Sequence, residues 1–388
     1  MKPIDYVYAA LNHEETDIVP AIGPYVNVGD DPYVWETPTP WRLRGDYEKE
    51  LALFQLQQSK TQIVVIEPGA WHMLMKKGPY GTNESHIMTT EFGGIHYVRN
   101  VPTTFFRKVL HSPVRDPEDL DELPEIDVEE FRPVINDVVE TGKWFAERGY
   151  FCITGTSLGP FEAASAFLRG WDHLEVARDM LTRPEFARRC MEVAMKPQNE
   201  VNKILVEEGG VHAVHYASDI ANAEGPWVRP EAFRRTAKVV KKECTDIFHR
   251  LKAPVFWHTH GNINPILRDF VEAGIDCLNP IDPHERMDLK TVKEEIGGEM
   301  TLNPTVWGRQ DMPGKSLSVD DLSHDQIREH VMNFFRTAAP GGGLILSAED
   351  FVLVAAGTKP KVGDLSENRK YAFDLVQEVR LNWKKYVH

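Results

Sequence analysis

The chain has 388 residues, 42% of them hydrophobic and 27% charged, which is ordinary globular composition with ample material for a large core. A formal net charge of -15 repels phosphate backbones and anionic lipid, so neither nucleic-acid nor membrane partners are expected. Cys152, Cys190, Cys244 and Cys277 are scattered with no C-x-x-C pair, which argues against a disulfide framework or a cysteine zinc knuckle and suits reduced thiols in a cytoplasmic enzyme. No apolar h-region follows Met1 and no run of about 18 apolar residues occurs, so no signal peptide or membrane span is expected.

Short apolar runs alternate with longer helical patterns along the chain, the mark of βα units and a parallel sheet. The first run covers residues 18–28. Residues 30–47, rich in Pro, Trp and charge, read as a long loop after this strand. The second run is 62–67. Residues 92–110 alternate apolar and polar side chains and read as a β-hairpin inserted before the third strand. An acidic, proline-rich surface connection at 113–133 leads to the third run, 150–156, and the fourth is 212–217.

Arg229-Pro230-Glu231 opens a helical pattern over 230–251, followed by the fifth run at 254–258. Asn264-Pro265 reads as an N-cap with Pro at the first helical position, and Ala273-Gly274 as the end of that helix. Runs at 277–281, 300–306 and 344–346 complete eight, and Gly341-Gly342-Gly343 before the last reads as a tight turn in preference to a phosphate cradle. Eight parallel strands with intervening helices close naturally into a (β/α)8 TIM barrel, here a single domain over residues 1–388. A doubly wound open sheet is the alternative, but no G-x-G-x-x-G follows the first run.

A parallel barrel places its active site at the carboxyl ends of its strands. Those ends carry Tyr25 and Asn27, Glu67, Tyr216 with Ser218-Asp219, His258-Thr259-His260, Asn279, Asn303, and Ser347-Ala348-Glu349-Asp350. In His258-Thr259-His260 the two imidazoles are i and i+2, so on an extended strand end they face the same side. Neutral imidazole suits zinc and other first-row metals, and a carboxylate from Glu349, Asp350 or Asp219 would complete a three-ligand site. Equally, the histidines suit substrate hydrogen bonding or acid/base work without metal. Asp219 fits a general acid/base or cation anchor, and also a plain helix cap. Tyr25, Tyr33, Trp35, Trp41, Trp71, Trp227 and Trp307 would wall a flat apolar substrate, or pack under long loops. Arg42 and Arg44 suit a substrate carboxylate or solvent. The substrate-binding set is thus Tyr25, Asn27, Trp35, Trp71, Tyr216, Asn279, Asn303 and Trp307. Asp219, His258 and His260 are the catalytic set, and His258, His260, Glu349 and Asp350 the metal set.

These residues resemble the uroporphyrinogen decarboxylase superfamily. The opening segment from Ala9 to Pro20, Ser218-Asp219-Ile220 followed by Gly225-Pro226 and Pro230-Glu231, the stretch from His258 to Pro280, and Gly341 to Ser347 together carry the likeness over nearly the whole chain. The resemblance implies a (β/α)8 barrel and one of two activities, cofactor-free decarboxylation or corrinoid-linked methyl transfer. Several methyltransferases of that kind share a zinc motif, H-x-C with a later Cys near the last strand. Here His260 stands in place of the first Cys, and the later one falls near Glu349 or Asp350. Such a set is harder than a thiolate one and suits polarisation of an ether or hydroxyl oxygen. The decarboxylases' R-Q-A-G-R-Y-type segment is replaced by Trp41-Arg42-Leu43-Arg44-Gly45-Asp46-Tyr47, which argues against uroporphyrinogen itself as substrate. The expected function is therefore zinc-assisted (or other divalent-metal-assisted) demethylation of a small methylated compound, such as an aromatic methyl ether, with a corrinoid on a partner protein as acceptor. The alternatives are decarboxylation or lysis of a small carboxylic acid with Asp219 as the key group, or a non-catalytic module that docks a corrinoid protein. A homodimer is compatible with either enzyme.

Overall fold

The computed structural model describes residues 1–28, 42–43, 46–81, 85–101, 104–307, 319–347 and 366–387. Among the described residues the expected runs carry seven parallel strands, β1 (Ile22–Asn27), β2 (Ile63–Glu67), β3 (Phe151–Thr154), β4 (Val214–Ala217), β5 (Val255–His258), β6 (Cys277–Asn279) and β7 (Thr301–Leu302). Parallel ladders join β1 to β2, β2 to β3, β4 to β5, β5 to β6 and β6 to β7. Parallel bridges join Ile153 to Ala213, Leu302 to Leu344, and Leu346 to Ala21, so the order of neighbours returns to its start. Seven of the eight expected runs carry one of these strands, each shorter than the run, and the eighth, 344–346, pairs only through the isolated bridges at Leu344 and Leu346.

Period two governs the strands. On β2, Ile63 and Val65 belong to one apolar cluster while Val64 and Ile66 belong to another that includes Ile135 and Val138 of the helix Arg132–Glu147. The first cluster gathers alternate residues from around the ring: Ile22, Ile63, Val65, Phe151, Ile153, Ala213, Phe256, Cys277 and Ile345. It is the interior plug. The opposite faces, such as Val214, Tyr216, Val255, Trp257 and Leu278, pack in the large outer core.

Outside the ring the expectations need three corrections. The hairpin does exist, as Ile95–Val101 paired antiparallel with Thr104–His111, but it is half of a four-stranded sheet that also contains Met75–Gly81 and Ser85–Thr90. Gly78-Pro79 inside the added strand reads locally as a turn, which hid it. In the long segment after β1, Arg42–Leu43 pairs with β1 and a helix runs Asp46–Ser59, so Asp46 and Tyr47 are not loop; residues 29–41 and 44–45 lie outside the described residues. The helix read over 230–251 is broken at Thr236 into Pro230–Arg235 and Ala237–Arg250. Among the described residues no helix is long and apolar enough to cross a membrane.

Candidate functional site

One step of two beyond the plug, the interior positions become polar. Tyr25, Glu67, His215, His258, Asn279, Asn303 and Ser347 follow Ile22, Val65, Ala213, Phe256, Cys277, Thr301 and Ile345 on their strands, with a register shift between Ile22 and Tyr25 setting the phase of β1. β3 contributes Gly155 to this layer. A Cβ there would lie 2.2 Å from Glu67 Oε2, so the missing side chain is the space the Glu67 carboxylate occupies. Glu67 is buried, accepts from the Gly69 amide at 2.8 Å, and lies 3.4 Å from His72 Nδ1.

The His258 and His260 rings meet edge to face with centroids 4.7 Å apart. His258 Nδ1 lies 2.6 Å from Asn279 Oδ1, and Asn279 Nδ2 donates to Asn303 Oδ1 at 2.6 Å. His260 Nδ1 lies 3.0 and 3.3 Å from the two oxygens of Glu285, which is buried in the turn Pro283–Glu285 and also accepts from the Gly261 amide at 2.8 Å. Asp219 Oδ1 accepts from the His260 amide at 2.8 Å, so its carboxylate ties down the end of the neighbouring strand and does not cap a following helix. Gly261 is left-handed (φ 97), and a Cβ there would strike Ala221 backbone atoms at 2.5–2.6 Å; only glycine makes this turn.

His215 stands edge-on to His258, with centroids 6.4 Å apart. Its ring keeps some solvent access, but protein surrounds it, and this desolvation, reinforced by His258, pushes its pKa down to about 4 against an opposing pull from Glu67. Its Nδ1 is buried with no hydrogen-bond partner. On the rim, His173 pairs with Glu162 at 2.7 Å, and Trp227 Nε1 donates to the Asp219 carbonyl at 3.1 Å.

The layer brings together Tyr25, His258, Asn279 and Asn303, with His260 and Asp219 immediately beyond and Trp71 following β2, its ring centroid 4.1 Å from that of His72. Two expected substrate contacts are elsewhere. Tyr216 is fully buried on the outer face and its hydroxyl donates to Asn199 Oδ1 of the helix Pro184–Glu207 at 2.6 Å. Trp307 is buried in an outer core with Val331 and Phe335, and stacks on His330 at 4.7 Å. The side chain of Asn27, together with Trp35, Glu349 and Asp350, lies outside the described residues, as do Tyr33, Trp41, Arg44 and the Arg42 side chain. Among the described residues no group of three His, Cys, Asp or Glu side chains converges on a metal position. The sequence reading missed His215, Glu285 and His173, and named Glu67 only as a strand end. Strict alternation back from His258 and Asn279 would have found His215; nothing local marks Glu285.

The architecture is an α/β fold of parallel strands with a polar, histidine-rich site at their carboxyl ends. The chain belongs to the uroporphyrinogen decarboxylase (URO-D) family, which matches it over residues 107–348. Among solved structures, a methyltransferase from Methanosarcina mazei is similar with a TM-score of 0.62 at 17% identity, covering 97% of this chain and 98% of that one. L-ribulose 3-epimerase is similar at a TM-score of 0.43 and 9% identity, covering 94% and 95%, and SacUVDE at 0.40 and 9%, covering 93% and 99%. No curated protein matches the chain.

Proposed function

We propose that the chain is a single (β/α)8-barrel domain and a methyltransferase-type member of its family. It would move a methyl group from a small methylated compound, of the aromatic methyl ether class, to a corrinoid carried by a partner protein. The observation that carries this reading is the pair of imidazoles at His258 and His260, 4.7 Å apart at one rim, one held by Asn279 and the other by the buried Glu285. That donor set fits a divalent first-row metal such as zinc: imidazole nitrogens suit it, and their other ring nitrogens are engaged as metal-bound histidines' usually are. His258 and His260 would hold the ion, with Glu349 or Asp350 as the further ligand. Bound there, the metal would supply Lewis-acid polarisation of the oxygen that the methyl group leaves.

The chain's own residues do the rest. Asp219 fixes the backbone of the second ligand through the His260 amide. Tyr25, packed against the interior apolar cluster, and Trp71, lying against His72, would supply aromatic surface for a planar substrate. His215, held neutral by burial, adds an uncharged polar group next to His258.

The test is methyl transfer from an aryl methyl ether to free reduced cobalamin, followed by the change in corrinoid absorbance, with zinc measured in the same preparation. Transfer that needs zinc and falls at least about a hundred-fold in His258→Ala and in His260→Ala is the expected result. Absence of transfer, with carbon dioxide release from a small acid that survives chelation and is lost in Asp219→Asn, would overturn it in favour of a decarboxylase.

A further inference from the structure

Each site imidazole faces an atom that can only accept a hydrogen bond, and this decides where the ring's proton lies. The Ile345 carbonyl accepts, so the Asn303 atom 2.7 Å from it is the amide nitrogen, Nδ2. Asn303 Oδ1 is then free to accept, and it takes Asn279 Nδ2 at 2.6 Å; that nitrogen also donates to the Asn303 carbonyl at 3.0 Å. Asn279 therefore turns its oxygen to His258 Nδ1, 2.6 Å away, and the hydrogen of that contact belongs to the ring. The chain is anchored on main chain, so neither amide can flip without losing a bond to a backbone carbonyl.

His260 reaches the same state by charge. The Glu285 carboxylate already accepts from the Gly261 amide at 2.8 Å and lies 3.0 Å from His260 Nδ1, so that nitrogen is the donor.

We propose that Glu285, and separately the Asn303–Asn279 pair, are positioning residues that lock the neutral rings of His260 and His258 in the Nδ1–H tautomer, making Nε2 the lone-pair atom of both. Asn279 and Asn303 would then serve His258 in place of the substrate contacts expected of them. The two supports sit on different elements: Glu285 in the turn after β6, Asn279 on β6, Asn303 after β7. They can be disabled one at a time. For metal binding, this tautomer is the one that leaves each ring able to ligate through Nε2, so the inference rests on the metal-assisted reading for its purpose but not for its geometry.

Nitrogen-15 labelling of the histidine side chains reads the tautomers directly in metal-free protein at pH 8, with His258→Gln and His260→Gln assigning the signals. Both rings are expected as Nδ1–H in the wild type. Glu285→Leu moves only His260, because it removes both oxygens that face the ring; Asn279→Leu moves only His258. Zinc alone, titrated against a competing chelator, should bind each variant about ten- to a hundred-fold more weakly than the wild type. Either ring as Nε2–H in the wild type, or tautomers unmoved in both variants, overturns the inference. Wild-type protein with both rings Nδ1–H that binds no zinc would uphold the positioning roles and sink the metal-assisted function.

Discussion

At the residue scale, two carboxylates are spent on one two-residue segment: Asp219 on the His260 amide, Glu285 on the Gly261 amide and the His260 ring. The half-buried Asp219 and the buried Glu285 stabilise a fixed geometry, and burial makes an acceptor costly to leave unpaired. Tyr216 illustrates the opposite case. Its hydroxyl serves the helix layer, so Tyr216→Phe should cost about 1 kcal/mol in urea unfolding and leave zinc affinity unchanged; a lost site with intact stability would contradict this. The misplacement of Tyr216 was a one-residue slip of face. On a strand every second side chain points inward, so choosing Tyr216 over His215 exchanged an outer contact for a site residue. Burial pushes the thiols of Cys190 and Cys244 up to about 12 and those of Cys152 and Cys277 higher than usual, so all four should resist a thiol reagent until the protein unfolds.

At the element scale, β5 carries the site on one face and its own support on the other. Trp257 points outward, and Lys241 of the helix Ala237–Arg250 sits with Nζ 3.1 Å from the Trp257 ring centroid and 4.2 Å from that of Phe270. The rings favour the charged amine, but full burial opposes it, and desolvation wins: the Lys241 pKa is well below its usual value. The folded state then binds fewer protons than the unfolded one at every pH between that lowered value and about 10.4. Stability contributed at this position therefore rises with pH through that window. Lys241→Met should remove the slope and raise stability at pH 7 by at least about 1 kcal/mol in denaturant unfolding; a less stable variant would show that the cation is held after all. The strands themselves were legible because apolar runs ending in polar residues repeat eight times. The added strand at Met75–Gly81 was not, because its pairing with Ser85–Thr90 overrides a local turn signal.

At the scale of the whole molecule, the parallel pairings run from β1 through every strand and back to Ala21, so residues far apart in sequence share one interior. This is why a site could be read from strand ends alone, and why Glu285, in a turn that folds back over its rim, could not. Membership in the URO-D family fits that arrangement, while the proposed activity would turn on the two imidazoles. The most direct measurement is diffraction at the zinc absorption edge from crystals grown with zinc, on wild type and on the His258→Ala, His260→Ala double variant. The account predicts a single strong anomalous peak bonded to Nε2 of both histidines in the wild type and none in the variant. Zinc bound elsewhere, or a peak that survives loss of both imidazoles, would contradict it.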